Sequence, residues 1–354
     1  MVPKRGRAAG PRSGTERPDR PVTDSGEPVL SVADLSVEYP TPAGPLRAVS
    51  RYTMSVRPGQ VVGIAGESGS GKTAVALALM GLSPSGAAVS GSIRLGDQEM
   101  VGRSEQAWRR TRGHVASMVF QETQAALNPT VSIGTQVSAV FSSSLGLPRS
   151  EARSETVEAL RRVQLTDVDR VMRSYPHQLS GGMCQRVVIA MAVSCGSRIL
   201  IADEPTTALD VRVQQDILGL IRRFAETEGL AVVLISHDLS VLEDMCDELI
   251  IMYQGEIAET GPTRDVLTSP QHPYTRQLLA CSPRLGTTAT RLAEIPKAQR
   301  TWPEGGCLYR SRCDVAFEKC GEHPQLPLAL GPATHRARCW RANSGSAEGG
   351  QCQA

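Results

Sequence analysis

Short apolar runs alternate along the chain with longer stretches of helical pattern. Three of these runs are Val61–Ala65, Ile199–Ala202 and Ala231–Leu234. Strands of a parallel sheet contain such continuous apolar runs, because helices cover both faces of the sheet. A helix-forming run, Thr73–Met80, follows the first of them, and strand-like and helix-like segments alternate again from Ile199 to Ile257. This order predicts an α/β fold around a parallel sheet.

Different patterns flank these runs. Residues 29–39 show strand-like alternation, whereas residues 103–175 carry polar helical patterns. One helical stretch, Glu151–Val163, places Val157 and Leu160 on a single face. The chain ends, residues 1–27 and 343–354, are rich in small, polar and helix-breaking residues. Segments of this composition bury too little apolar surface to offset the loss of chain entropy, so we expect disordered tails.

The first apolar run leads directly into a glycine-rich loop. The loop fits the pattern G-x-x-x-x-G-K-[ST] and lies between a predicted strand and a predicted helix, as a phosphate-binding loop requires. Its glycines allow backbone N–H groups to converge on phosphate oxygens, and the helix N-terminus adds partial positive charge. Lys72 is expected to reach the β- and γ-phosphates, and the Thr73 hydroxyl is expected to hold Mg²⁺. The predicted ATP-binding residues of the loop are Gly66, Glu67, Ser68, Gly69, Ser70, Gly71, Lys72 and Thr73.

The second apolar run ends in two carboxylates, Asp203 and Glu204. Ligand sites lie at the carboxyl ends of parallel strands, so both side chains are expected near the phosphate-binding loop. Asp203 would hold Mg²⁺, directly or through water. Glu204 would polarise the water that attacks the γ-phosphate.

A second candidate anion site lies between these two motifs. It consists of Ser180, Gly181 and Gly182. The helical run Gln185–Val193 follows, so a hydroxyl and free N–H groups stand at a helix start. Since the chain already has a phosphate-binding loop, this second site suggests that ATP is contacted from two sides.

These motifs, in this order, resemble those of the ATP-binding cassette (ABC) family. Leu179–Gly182 resembles the signature loop, which in that family reaches the γ-phosphate held by a partner cassette. Other elements identified by the resemblance are Tyr39 as the aromatic that stacks on adenine, Gln121 as the Q-loop, Asp210 in the D-loop and His237 as the switch histidine.

The resemblance implies a P-loop NTPase fold of the ABC type, with a mixed sheet core and a helical subdomain. The ATPase domain would be residues 28–285, with the helical subdomain at about 103–190. Two cassettes would close head to tail over two ATP molecules. The resemblance gives Glu204, His237 and Gln121 catalytic roles. It also implies Mg²⁺ coordination through Thr73, Gln121 and Asp203.

The chain continues beyond the cassette into a C-terminal extension, residues 286–342. Just before it, Gln271–Leu279 resembles a segment typical of ATPases that serve oligopeptide, dipeptide and nickel importers. The stretch Gln121–Gln136 resembles the same peptide-transporter branch. The resemblance therefore favours this branch over other ABC proteins.

The extension contains four cysteines with the spacing C-x5-C-x6-C-x18-C. The C-x2-C knuckles of common zinc sites are missing, and four thiolates are the usual ligands of an iron–sulfur cluster. The family resemblance favours a [4Fe–4S] cluster. Zinc is one alternative, and reduced or disulfide-bonded cysteines are another; His323 and His335 are expected to be surface residues. The candidate ligands are Cys307, Cys313, Cys320 and Cys339.

Composition excludes several other classes of function. The net charge of +2 over 354 residues argues against a nucleic-acid-binding surface, and an aromatic content of 4% argues against a stacking platform. No apolar run approaches the roughly 20 residues that span a bilayer. Only four of the 38 basic residues are lysine, a bias that suggests a GC-rich genome. We expect a peripheral subunit on the cytoplasmic face of a bacterial cell membrane.

The sequence thus predicts an ABC-type ATPase that energises an importer of peptides, or of nickel or a related solute. The expected partners are a second, related ATPase chain, two transmembrane permease subunits and, indirectly, a substrate-binding protein, with no nucleic acid. The alternative is a non-transport ABC ATPase in a soluble complex. Long coiled-coil insertions, a second cassette and strongly basic linkers, which typify that class, are not visible in the sequence.

Overall fold

The structure, a computed structural model, describes residues 26–121, 126–207, 209–281, 305–326 and 335–343. Most of the two predicted tails and the predicted boundary near residue 285 lie outside these ranges. The described strands are β1 (Leu30–Thr41), β2 (Gly44–Val56), β3 (Val61–Ala65), β4 (Ala88–Leu95), β5 (Gln98–Glu99), β6 (Ala116–Val119), β7 (Ile199–Asp203), β8 (Ala231–Ile235), β9 (Glu248–Tyr253), β10 (Glu256–Pro262) and β11 (Arg336–Ala337). The described helices are α1 (Lys72–Leu79), α2 (Glu105–Thr111), α3 (Ile133–Leu145), α4 (Arg149–Arg162), α5 (Val168–Arg173), α6 (Gly181–Val193), α7 (Val211–Glu228), α8 (Leu239–Met245), α9 (Thr263–Thr268), α10 (Pro273–Cys281) and α11 (Trp340–Asn343).

The predicted parallel sheet forms the centre of the described structure. Its strand order is β11-β10-β9-β3-β8-β7-β6, and the five strands from β9 to β6 pair in parallel. At the other edge, β10 and β11 pair antiparallel. The sheet is therefore mixed, as the family resemblance implies. The apolar runs read from the sequence are its buried strands β3, β7 and β8.

The central strands divide the core into two layers, because successive strand residues point to opposite faces. On β3, Val61 and Ala65 pack with helices α3 to α8, whereas Val62 and Ile64 pack with α1 and the antiparallel sheet. That second sheet has the order β2-β1-β4-β5. Both faces of the central strands are thus covered, which explains their continuous apolar sequence.

The helical region packs on one side of the sheet. Helix α4 buries Leu160 and half-buries Val157, as its sequence pattern predicts. Helix α6 begins at Gly181, earlier than the predicted run from Gln185, because the Ser180 hydroxyl caps it by accepting from the Met183 N–H at 3.3 Å. Across the described ranges, no helix has both the length and the apolar character that crossing a membrane demands.

The C-terminal extension docks on β10 through a buried carboxylate. Glu259 is fully buried and accepts the backbone N–H groups of Gln271 and His272 at 2.7 and 2.9 Å. His335 Nε2 lies 2.6 Å from Glu259 Oε1, and His323 Nε2 lies 2.9 Å from Glu256 Oε2. The expectation that both histidines are surface residues is wrong, because each is largely buried against a carboxylate of β10.

We predict that Glu259→Gln lowers the free energy of unfolding by about 2–4 kcal/mol, because it breaks a buried pair. Burial raises the pKa of Glu259, but hydrogen bonds from His335 and the backbone outweigh burial and hold the pKa below its ordinary value. The stabilisation is therefore complete above the ordinary glutamate pKa and is lost as the pH falls through the lowered value. Urea unfolding should show the difference between wild type and variant narrowing as the pH falls below about 4.

Glu38→Gln is the matched control. Glu38 forms an exposed pair with Arg47, at 2.6 Å, between β1 and β2. Its replacement should change stability by less than about 1 kcal/mol. Equal effects of the two substitutions would contradict the role given to Glu259.

Candidate functional site

The glycine-rich loop connects the buried end of β3 to the N-terminus of α1. Gly66 has φ of +152°, and a Cβ at this position would lie 2.3 Å from the Met252 carbonyl oxygen. Gly71 has φ of +103°, and its Cβ would lie 2.5 Å from the Ala48 carbonyl oxygen. Both positions therefore require glycine, because neighbouring backbone fills the space of a side chain.

Lys72 lies in the centre of this loop with only 8% of its surface exposed. Its ammonium group donates to the carbonyl oxygens of Gly66 and Glu67 at 2.7 and 2.9 Å. Burial lowers the pKa of Lys72, and the nearby carboxylates of Glu204 and Asp203 oppose this effect. The loop thus holds a buried cation next to the ends of β3 and β7.

Thr73 and Asp203 meet beside this lysine. The Asp203 carboxylate is hydrogen-bonded to the Thr73 side chain. Burial raises the pKa of Asp203, and the bond to Thr73 and the charge of Lys72 oppose that shift. Hydroxyl and carboxylate oxygens are the ligands that Mg²⁺ prefers. The structure therefore brings together two of the predicted Mg²⁺ ligands in a donor set that fits the ion.

Glu204 is the centre of a second group of side chains. One carboxylate oxygen accepts from Gln121 Nε2 at 3.2 Å and from Thr207 Oγ1 at 2.9 Å. The other oxygen lies 3.1 Å from His237 Nδ1. Glu204 also has φ of +47°, a left-handed conformation that is uncommon for a non-glycine residue. Such strain persists where the surrounding structure fixes it, and it is frequent at functional sites.

Of the three residues predicted as catalytic, Gln121 and His237 thus each contact the third, Glu204. Gln121 follows the end of β6, and His237 follows the end of β8. The sequence analysis missed Thr207, although its position three residues after Glu204 allows its hydroxyl to reach back to the carboxylate.

The second candidate anion site stands apart from this group. Ser180 is the N-cap of α6, and Gly182 packs so closely that its Cβ would lie 2.4 Å from Val213 Cγ1. Asp210 caps α7 by accepting from the Val213 N–H at 3.0 Å. In the part of the chain that the structure describes, no hydrogen bond or ion pair joins Ser180, Gly181 or Gly182 to the phosphate-binding loop. Tyr39 is half-buried on β1.

The four cysteines of the extension line one small cavity, together with apolar and arginine side chains. Each carries a free thiol. Burial raises the pKa of Cys307 to about 11, with smaller contributions from the other three cysteines, and burial also raises the pKa of Cys313. Among the described residues, no group of three or more His, Cys, Asp or Glu side chains is arranged to hold a metal ion. Four thiols that line one cavity are the donor type of a thiolate-bound metal group.

Comparison with protein families gives two matches. Residues 49–207 match the ABC transporter family, and residues 258–320 match the C-terminal region of oligopeptide/dipeptide transporters. The first match contains the phosphate-binding loop, Gln121 and Glu204. The second contains Cys307, Cys313 and Cys320.

Several known proteins are similar to this chain over most of their length. The probable D,D-dipeptide transport ATP-binding protein DdpD of Escherichia coli is 40% identical, over 89% of this chain and 97% of that protein. The oligopeptide transport ATP-binding protein OppD of Salmonella typhimurium is 39% identical, over 87% and 92% of the two chains. The oligopeptide transport ATP-binding protein AppD of Bacillus subtilis is 36% identical, over 90% and 98%.

Solved structures of similar fold are ATP-binding cassettes. The dimeric cassette MJ0796 bound to ADP and Pi has a TM-score of 0.59 and 25% identity, over 66% of this chain and 99% of that one. The cbiO1 protein of Clostridium perfringens, part of the ABC transporter complex cbiONQ, has a TM-score of 0.58 and 26% identity, over 68% and 91%.

We predict that Gly66→Ala abolishes ATP binding and lowers stability by about 2–4 kcal/mol, because its methyl group would overlap the Met252 backbone. Gly69→Ala is the matched control, since Gly69 has φ of +78° but no heavy atom within 4 Å of its Cβ. That variant should lose only about 1–2 kcal/mol from left-handed backbone strain. Thermal unfolding and ATP titration measure both effects. ATP binding by Gly66→Ala at wild-type affinity would contradict the assignment of this loop.

Proposed function

Because this chain belongs to the ABC transporter family, as an ATP-binding subunit of its oligopeptide and dipeptide branch, we propose that it hydrolyses ATP to energise the import of peptides. One observation carries the catalytic part of the proposal. Gln121, Thr207 and His237 converge on Glu204 beside the loop that holds Lys72. The peptide class rests on the names of the relatives, and nickel or a related solute remains the other candidate within this branch.

The phosphate-binding loop holds ATP in this proposal. Loop N–H groups and the N-terminus of α1 contact the phosphate oxygens. When ATP binds, the Lys72 ammonium group gives up its hydrogen bonds to the two loop carbonyls and donates to the β- and γ-phosphates. Tyr39 stacks on adenine. Thr73, Asp203 and Gln121 would hold Mg²⁺, which would supply positive charge to neutralise the phosphates. The oxygen donors that Thr73 and Asp203 place together support this assignment.

Glu204 acts on the attacking water. Its carboxylate accepts a hydrogen bond from the water and orients it toward the γ-phosphate. Bonds from Thr207 and Gln121 restrict the carboxylate, so little reorganisation is needed at the moment of attack. His237, which is exposed and lies next to Glu204, contacts the γ-phosphate. The products are ADP and phosphate.

The signature residues act on a partner. Ser180, Gly181 and Gly182 stand at the start of α6, where the hydroxyl and N–H groups suit a γ-phosphate held by the second cassette. Asp210 orders the adjacent start of α7. Two bound ATP molecules favour the closed dimer, and hydrolysis removes that preference. The proposed partner is a related ATPase, and both ATPases lie at the cytoplasmic face of the membrane. Two permease subunits convert the closing and opening of the ATPase dimer into alternating access.

The four cysteines would hold a [4Fe–4S] cluster in this proposal. Their convergence on one cavity and the match to the branch-specific C-terminal region support it. The ligands are Cys307, Cys313, Cys320 and Cys339. A cluster would cross-link a segment that has few apolar residues, and the binding free energy would become folding free energy. Zinc in the same thiolate set is the alternative.

We predict that Glu204→Gln keeps ATP affinity but lowers ATP hydrolysis by about 100-fold or more, because the amide cannot accept the proton of the attacking water. Size-exclusion chromatography with the partner ATPase should show an ATP-dependent closed dimer. Glu158→Gln, in an exposed pair on α4, is the control and should hydrolyse ATP at the wild-type rate. Wild-type hydrolysis by Glu204→Gln would contradict the mechanism.

Metal analysis tests the four-cysteine site. Protein purified without oxygen should contain about four irons and four sulfides per chain and absorb broadly at about 400 nm. Cys313→Ser should lose this iron, whereas Cys281→Ser, at the end of α10, should retain it. One zinc per chain would show that the four cysteines bind zinc and not a cluster. A metal-free wild-type chain that is no more stable than Cys313→Ser would refute both metal assignments.

A further inference from the structure

The second residue of the phosphate-binding loop is bound by the C-terminal extension. Glu67 accepts two hydrogen bonds from Arg312, whose two terminal nitrogens lie 3.1 and 3.0 Å from the two carboxylate oxygens. The residues are 245 positions apart in the chain. A bidentate contact of this kind fixes both the distance and the orientation of the carboxylate.

Aromatic residues fix the arginine in turn. Its guanidinium group lies 5.7 Å from the ring centroid of Tyr253 and 5.9 Å from that of Tyr309. Arg312 also donates to the Tyr253 hydroxyl at 3.3 Å. On the other side, the buried hydroxyl of Tyr274 accepts the Glu67 N–H at 2.9 Å. The extension and α10 therefore hold both the backbone and the side chain of Glu67.

The charge of Glu67 makes this contact important for ATP. A carboxylate in an anion-binding loop repels phosphate, and Glu67 interacts electrostatically with Lys72. The side chains of Arg312 and Glu67 are only 20% and 29% exposed, so water screens the pair less than a surface pair. Arg312 thus neutralises a negative charge within the phosphate-binding loop.

The position of Arg312 depends on the four-cysteine segment. Arg312 directly precedes Cys313, and Tyr309 follows Cys307 by two positions. Both cysteines line the shared cavity. Tight packing restricts this segment at Gly306, where a Cβ would lie 2.5 Å from the Cys320 carbonyl oxygen.

We propose that Arg312 is a positioning residue of the ATP site, and that folding of the four-cysteine segment delivers it to Glu67. The inference rests on the proposed ATP-binding function. ATP affinity then depends on the extension through the contact of Arg312 with Glu67.

Binding of a fluorescent ATP analogue, methylanthraniloyl-ATP, to the full chain tests the proposal. Arg312→Gln should raise Kd by about three- to tenfold, the range expected for a bidentate, partly buried charge pair. Arg312→Lys should raise it less. Arg161→Gln is the matched control, because Arg161 lies outside the extension and forms an exposed pair with Glu158 on α4. It should leave Kd unchanged.

A second substitution separates charge neutralisation from a structural role. If Arg312 acts through Glu67, Arg312→Gln should have no effect in a Glu67→Gln background, where no charge needs neutralising. Cys313→Ser, which disturbs the four-cysteine segment, should also raise Kd. Glu67→Gln should suppress this increase in Kd as well. Equal weakening with and without Glu67→Gln, or an unchanged Kd for Arg312→Gln, would overturn the inference. Absence of ATP binding by the wild-type chain would instead refute the proposed function.

Discussion

The register of three buried parallel strands is the constraint on which the site depends. Ile64 of β3 and Asp203 of β7 both pair with Ile235 of β8, so the three strands end at the same level of the sheet. The phosphate-binding loop follows the end of β3, Glu204 follows the end of β7, and the segment that contains His237 follows the end of β8. A shift of one residue would turn Asp203 to the opposite face of the sheet. Such a shift would be costly because all three strands are buried on both faces. It would move the side chains of the shifted strand from each core layer to the other.

The sequence predicts those parts of the site that are encoded locally. The loop, Asp203 and Glu204 directly follow apolar runs, so their placement follows from the rule that ligands bind at carboxyl ends of strands. The positions of Gln121 and His237 came from family resemblance, and their contacts with Glu204 required the structure. The left-handed backbone of Glu204 has no sequence signal, because no glycine stands there.

Contacts of long sequence separation could not be predicted. The pair of Arg312 with Glu67 and the pair of His335 with Glu259 join residues whose neighbours in sequence give no indication of a partner. The structure shows that the extension contacts the cassette at both β10 and the phosphate-binding loop. The glycine-rich loop is therefore contacted by a segment that lies outside the motifs by which the cassette is recognised.

In the proposed function, the carboxyl edge of the sheet binds ATP together with a divalent cation. Electron paramagnetic resonance of Mn²⁺, used in place of Mg²⁺, tests it most directly. We predict that ATP induces tight Mn²⁺ binding to the wild-type chain and that Asp203→Asn weakens this binding without removing ATP affinity. Mn²⁺ binding that is independent of ATP, or that is the same in Asp203→Asn, would show that Asp203 does not hold a cation together with ATP.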